Sequence, residues 1–293
     1  MSETTAGRWV IEHVNDDQGF RTALLAQGDV HTADSVQNLA LFNNATFGRV
    51  MILDGAIQVT TADEFIYHEM MAHVPLFAHG AAKEVLIIGG GDGGIAREVL
   101  RHQGVEAVTL VEIDQAVVDL AREHLPQVSD GAFDSPRLKL VITDGAAFVA
   151  QTDKQFDVII VDSPDPVGAG KVLFEPHFYQ ACFQALRDDG ILVTQSGMPF
   201  LTPDWFQRHA VQLNDVFPAR AFYLTTVPSY TGGPMAHGFS AKTARHDVSV
   251  ETLSARSAAI AGDLKYWTPA LHRAAFALPR YIETLCGTAP PSR

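Results

Sequence analysis

The chain has 293 residues, 47% of them hydrophobic, and a formal net charge of −13. That length suits one large α/β domain with a smaller companion, and the charge speaks against nucleic acid or an anionic membrane as partner. No apolar run reaches the roughly 18 residues of a membrane span, and Met-Ser-Glu-Thr-Thr-Ala-Gly lacks the basic-then-apolar pattern of a secretory signal, so the expectation is a cytoplasmic enzyme.

Residues 9 to about 60 read as β-rich. Trp9-Val-Ile-Glu, Phe20 to Leu25, Leu39-Ala-Leu-Phe and Val50-Met-Ile-Leu are separated by turn signals such as Asn43-Asn44 and Asp54-Gly55. Phe65, Met70, Met71 and Val74 have helical spacing, which predicts a helix over 62–77. The same stretch holds His68-Glu69-Met-Met-Ala-His73. Histidines five apart sit about 140° apart on a helix, so they cannot share a metal as a zinc-protease pair does. Strand and helix then alternate from 85 to about 200. The Pro/Gly/Tyr-rich segment 227–238 reads as a loop or hairpin against a ligand cleft. The tail from 263 to 285 reads as partly helical, packing Phe276 and Leu278. Cys182 falls in an apolar helical pattern, and two isolated cysteines, Cys182 and Cys286, make neither a disulfide framework nor a zinc site. The expected division is a β-rich domain over 1–78 and a Rossmann-like domain over 79–293.

The chemistry is concentrated in Val85-Leu-Ile-Ile-Gly-Gly-Gly-Asp92-Gly-Gly94. A buried parallel strand runs into a glycine loop, and a helix starts near Gly94. Such loops bind nucleotide-like ligands, but phosphate cradles present N–H groups and avoid carboxylates. Asp92 therefore points to a cationic ligand. Val108–Glu112 is an apolar strand ending in an acid about twenty residues after the loop, the place where a carboxylate takes both ribose hydroxyls. Leu138-Lys-Leu-Val-Ile-Thr-Asp144 and Phe156-Asp-Val-Ile-Ile-Val-Asp162-Ser-Pro-Asp165 end in further acids. Glycine loops alone are shared with NAD enzymes. Four successive strands that each deliver a carboxylate to one sheet edge are far more specific. No Gly-x-Ser-x-Gly elbow and no Walker lysine is present.

These stretches, with Leu53-Asp-Gly-Ala-Ile-Gln58, Asp63-Glu-Phe-Ile-Tyr67-His-Glu-Met, Pro228-Ser-Tyr230 and His272-Arg-Ala-Ala-Phe-Ala-Leu-Pro279, resemble the polyamine aminopropyltransferases. The resemblance implies a methyltransferase-type Rossmann-like sheet with helices on both faces, preceded by a small N-terminal β domain. It implies transfer of an aminopropyl group from decarboxylated S-adenosylmethionine, a co-substrate, to putrescine, with no metal or redox cofactor. By that resemblance Glu112 holds the ribose, Asp144 the adenine amino group, and Gln37 and Asp92 the sulfonium side chain. Asp162 is the base, Asp165 and Tyr67 position the amines, Tyr230 lines the same cleft and His68 neighbours the diamine. The partners implied are small-molecule diamine and sulfonium nucleoside substrates and a second or fourth copy of the chain, a homodimer or homotetramer.

The chain departs from the family at Gly168-Ala-Gly-Lys171, which lacks a usual proline, at Thr61 and at Gly197. The acceptor stays open among putrescine, cadaverine, norspermidine precursors and agmatine. A methyltransferase using S-adenosylmethionine itself, or a non-catalytic nucleoside binder, are the other readings. Intact Asp92 and Asp63-Glu-Phe65 oppose the first, and intact Asp162 and Asp165 the second.

Overall fold

The computed structural model describes residues 7–13, 19–163 and 168–287. A hairpin of β1 (Trp9–Glu12) and β2 (Thr22–Leu25) precedes a four-stranded antiparallel sheet of β3 (Gln27–Asp34), β4 (Asn38–Asn44), β5 (Gly48–Leu53) and β6 (Ala56–Thr60). Two of these strands, β3 and β6, are not evident in the sequence. The first is Gln-Gly-Asp-Val-His-Thr-Ala-Asp, exposed except at Val30, so it carries no apolar alternation. In β4 and β5 alternation is clear. Leu39, Leu41, Met51 and Leu53 pack against Val117, Leu125 and Val128, while Phe42, Val50 and Ile52 face the other way.

The large sheet has seven strands: β7 (Glu84–Gly89), β8 (Ala107–Glu112), β9 (Leu138–Ile142), β10 (Phe156–Asp162), β11 (Leu186–Gln195), β12 (Ala219–Thr225) and β13 (Met235–Ala241). Their order is β12-β13-β11-β10-β7-β8-β9. The five strands from β11 to β9 are parallel, and β13 runs antiparallel to both neighbours. Parallel strands are covered on both faces, which explains their unbroken apolar runs. Val85 and Ile87 join Val158, Ile160, Ile191 and Val193 in one core, while Leu86 and Ile88 join Ile159, Val161 and Leu192 in the opposite one.

The segment 227–238, expected as a loop or hairpin, joins the antiparallel pair β12 and β13 and includes the start of β13. Met235–Ala241 is a fully buried strand, hidden in the sequence because Met-Ala-His-Gly-Phe-Ser-Ala has no β-branched residue. Helix α1 (Glu64–His79) runs two residues beyond the expectation and is buried at every position except Phe65. It lies on the large sheet against α2 (Gly94–Leu100). The tail forms α9 (Pro269–Ala275) and α10 (Arg280–Leu285), and Phe276 and Leu278 pack on the two cores as expected. Among the described residues no helix is long and apolar enough to cross a membrane.

The chain enters the parallel sheet at β7, builds outward to β9, then returns beside β7 as β10. Ligands of open α/β sheets bind where the order reverses, outside the carboxyl ends of the strands. Here that point lies between Gly89 and Asp162, which are directly paired.

Candidate active site

A cleft opens over this reversal. Its floor is the glycine loop, Glu112, Asp144 and Asp162, and its far wall includes Gln195, Met198 and Tyr230. Gly89 is obligatory: its φ is +83°, and a Cβ there would lie 1.8 Å from the Asp162 carbonyl oxygen. The loop therefore rests directly on the strand that ends in Asp162.

Of the nine sequence-predicted site residues, Gln37, Tyr67, His68, Asp92, Glu112, Asp144, Asp162 and Tyr230 all line this one cleft. Asp165 lies outside the described residues. Glu112 Oε1 accepts the backbone N–H groups of Ile113 and Asp114 at 2.7 and 3.0 Å. Burial pushes its carboxyl up to about 7, against those two bonds. Asp144 caps α5 (Gly145–Gln151), accepting from Ala146 and Ala147 through Oδ1. Gln37 is held by its own backbone N–H, which donates to Asp114, while its amide reaches Asp54 at 3.4 Å. The Tyr230 hydroxyl donates to the carbonyl of Gln58, and its neighbour Ser229 is tied to Asp63, whose carboxylate accepts from the Ser229 N–H at 2.7 Å and from its hydroxyl at 3.2 Å. The Pro-Ser-Tyr and Asp-Glu-Phe stretches are thus one structural unit, 166 residues apart in sequence.

Two carboxylates differ sharply in state. Asp92 accepts from the Gly94 N–H at 2.7 Å and lies 3.4 Å from His68 Nε2. Burial opposes its charge, but the imidazolium outweighs burial and holds it below the usual carboxylate range. Asp162 is pushed up to about 6 by burial and by the nearby Asp92 charge, with Tyr67 and His68 pulling the other way. The Tyr67 phenol donates to Asp162 Oδ1 at 2.6 Å. Burial and Asp162 drive that phenol's own ionisation far above its ordinary value, so it stays a donor. Paired groups with pKa values pushed apart are how acid–base roles are divided in one site.

His68 and His73 part company as their spacing requires. His68 faces the cleft; His73 binds Glu98 at 2.8 Å and His102 at 2.9 Å on the far side of the helix. Among the described residues one cluster, His79, Asp157 and Asp189, has the compactness of a metal site. Most of its atoms have other partners: Asp157 accepts from Arg187 and two backbone N–H groups, Asp189 from Arg245, and His79 Nδ1 from the Ala81 N–H, while His79 Nε2 is buried without a hydrogen bond, 3.5 Å from Asp189.

The sequence reading missed Glu12, Gln58, Ser163, Gln195 and Met198, which also line the cleft. Gln195 had a usable signal, since it ends β11 at the same sheet edge as the acids. Glu12 had none: it arrives from the N-terminal hairpin, where its Oε1 accepts the Ile57 N–H. Lys171 is exposed, while its neighbours Gly170 and Val172 line the cleft; Gly197 lies against the Trp205 ring.

Comparison with known proteins agrees with this geometry. The spermine/spermidine synthase domain matches residues 64–250, and the spermidine synthase tetramerisation domain matches residues 8–61. The chain belongs to the spermine/spermidine synthase family. It is 55% identical over 250 residues to a polyamine aminopropyltransferase of Ruegeria sp. (strain TM1040), covering 85% of this chain and 88% of that one. It is 52% identical over 247 residues to polyamine aminopropyltransferase 1 of Pseudomonas aeruginosa, covering 84% and 86%. Among solved structures, spermidine synthase from Thermotoga maritima superposes with a TM-score of 0.87 at 36% identity over 98% of both chains. A crystal structure of spermidine synthase in complex with the transition state analogue AdoDATO gives the same values. This protein is therefore an enzyme of the aminopropyltransferase family, with the methyltransferase-like fold those structures share.

Proposed function

We propose that this aminopropyltransferase is a spermidine synthase that moves the aminopropyl group of decarboxylated S-adenosylmethionine to putrescine, releasing 5′-methylthioadenosine. The observation that carries this reading is the Asp162–Tyr67 pair set directly beside the glycine loop that holds Asp92. A diamine is mostly protonated near neutrality, since a primary amine resembling lysine has a pKa of ~10.4. It must lose a proton before attacking carbon. Asp162, pushed up to about 6, is an effective base at neutral pH and its developing contact with the new ammonium favours the transition state. Tyr67 occupies one oxygen of Asp162 and so aims the other. The sulfonium is an intrinsically reactive electrophile, so alignment supplies much of the remaining acceleration.

The other roles are those the family resemblance implies. Glu112 takes the ribose hydroxyls through the oxygen its backbone contacts leave over, and Asp144 takes the adenine amino group. Gln37 and Asp92 hold the donor's side chain. Asp165 and Tyr67 position amines, with His68 and Tyr230 beside them. The reaction as written draws on no cofactor. The buried free thiols Cys182 and Cys286 suit a reducing cytoplasm.

Trp9 and Leu25 pair across the hairpin and are 61% and 39% exposed; Ile11, on the same face as Trp9, is 39% exposed. Such a face on a stretch matching a tetramerisation domain is the contact through which copies join as a dimer or tetramer. The deciding experiment is an acceptor panel with decarboxylated S-adenosylmethionine, read as methylthioadenosine release. Putrescine should give the highest kcat/KM. A different preferred amine overturns the acceptor assignment, and no release with any amine overturns the aminopropyl reading.

A further inference from the structure

A cleft for cationic substrates gains nothing obvious from a cation of its own, yet His68 places one beside Asp92. Its imidazole is 2% exposed, with Nδ1 2.6 Å from Glu64 Oε2 and Nε2 3.4 Å from Asp92 Oδ2. A Cβ on Gly94 would come within 2.2 Å of the ring, so the imidazole rests on the start of α2. Behind it Arg97 donates to both oxygens of Glu64 at 3.1 and 2.8 Å and also binds Glu98 at 2.8 Å. The charged and titratable groups around the ring are Glu64 from α1, Asp92 from the glycine loop, Asp162 from the end of β10, Arg97 from α2 behind Glu64, and the Tyr67 ring at 5.7 Å. Burial alone would strip the proton from His68. Asp92 and Glu64 outweigh it, and the imidazolium is pushed up to about 10. Asp92, His68, Glu64 and Arg97 thus form a buried row of alternating charge.

We propose that His68 is a resident counter-cation for Asp92 that in alkaline solution surrenders its proton to solvent when the donor's ammonium docks on that carboxylate, so that capture of the sulfonium donor is there coupled to release of a proton while binding of uncharged methylthioadenosine is not. This rests on the donor assignment above. An ammonium hydrogen-bonded to Asp92 lies about 6 Å from the ring, and like charges at that distance, at an effective dielectric near 20, weaken proton binding roughly a hundredfold. The sulfonium adds to this.

The geometry says which proton leaves. The contact to Glu64 is short and the contact to Asp92 long, so the neutral ring keeps Nδ1–H on Glu64 and loses the proton from Nε2. The neutral ring no longer repels the arriving ammonium, which takes over the charge balance of Asp92. The proton departs through the cleft mouth, and the empty site keeps a buried carboxylate ionised without ligand.

Nitrogen NMR of the histidine-labelled enzyme at pH 9, with His68→Gln used to identify the signal among 12 histidines, tests this directly. The expected result is an imidazolium at residue 68 in the free enzyme and in the methylthioadenosine complex, and a neutral ring in the donor complex. A charged ring with donor bound, or a neutral ring in the free enzyme, overturns the proposal. Affinity gives a second readout. Between pH 8 and 9.5 Asp162 and Glu112 are ionised, so the donor Kd should fall with rising pH, by up to about tenfold per pH unit for one proton released, while the methylthioadenosine Kd stays level. Parallel pH profiles for the two ligands overturn it. Glu64→Gln removes one of the two anions and should move the donor-linked window to lower pH; an unmoved window counts against His68 as the source. Methylthioadenosine binding with no donor binding at all overturns the donor assignment and this coupling together, which separates that failure from the others.

Discussion

The protein on the two sides of the cleft fixes its ionisation in opposite ways. On the α1–α2 side, Asp92, His68, Glu64, Arg97, Glu98 and Arg101 are buried or nearly so, and every one has an opposite charge within 3.4 Å. On the β11–β13 side, His209 and His237 are pushed down to about 3 by burial alone. His209 is satisfied by neutral partners, the Tyr179 hydroxyl and Ser196, and His237 stacks on Tyr223 with neither ring nitrogen bonded among the described residues. Groups held by partners respond to any new charge that arrives; groups held by burial do not titrate in the working range. One side is held by charge pairing, and the other by burial.

Asp162 stands where the two sides meet, and its loss has the largest expected effect. Asp162→Asn should lower kcat by about 10²–10⁴-fold with donor affinity nearly unchanged. In the parent enzyme kcat/KM should rise with pH through about 6 as Asp162 ionises, and in the variant that limb should vanish. Because its ionised form is disfavoured by burial, the variant should melt no lower than the parent at pH 8. A turnover within threefold of the parent removes Asp162 from the base role.

Asp92→Asn comes next and strikes the charge-paired side. S-adenosylmethionine carries a carboxylate beside the amine that the proposed assignment sets on Asp92, and two like charges at ~4 Å repel by about 1 kcal/mol in water and ~4 at an effective dielectric of 20. The preference for the decarboxylated donor should therefore shrink by roughly one to three decades. Paired dissociation constants at two ionic strengths decide it; an unchanged ratio assigns discrimination to cavity shape.

Glu112→Gln should weaken donor and methylthioadenosine together, by about ten- to hundredfold, because both share the ribose and charged acceptors bond more strongly. In the parent both affinities should improve as pH rises through about 7, the value to which burial pushes Glu112. Calorimetry that finds methylthioadenosine binding unaltered places the ribose elsewhere.

The smallest effect belongs to the neutral side. His237→Phe should change kcat less than threefold and stability by less than about 1 kcal/mol, since it replaces a buried, unbonded ring by one of similar shape. A loss of tenfold or more in kcat would show that shape behind Tyr67, 5.7 Å away, is held as tightly as charge is on the other side.

Much of this was legible in the sequence, for a physical reason. Parallel strands covered on both faces are written as continuous apolar runs, so a carboxylate that ends one stands out, and Asp92, Glu112, Asp144 and Asp162 were found that way. The glutamates and arginines behind them were not, because Glu64 meets Arg97 across 33 residues and no local spacing records that pairing. Exposed β3 and the unbranched strand β13 escaped because strand patterns are visible only where one face differs from the other or branched residues crowd it. Glu12 escaped because a hairpin docking into a distant cleft leaves no periodicity.

The residue-for-residue pairing of β10 with β7 ends on Asp162 beside Gly89. Asp162 and the glycine loop are thus adjacent rungs of one ladder, and a change in either backbone would disturb both. The opposite lining of the cleft comes from elsewhere: Gln195 and Met198 from the end of β11 and the loop after it, and Tyr230 and Thr231 from a segment anchored by Asp63. That lining can therefore change in descendants of this chain without altering the rung on which Asp162 and Gly89 meet.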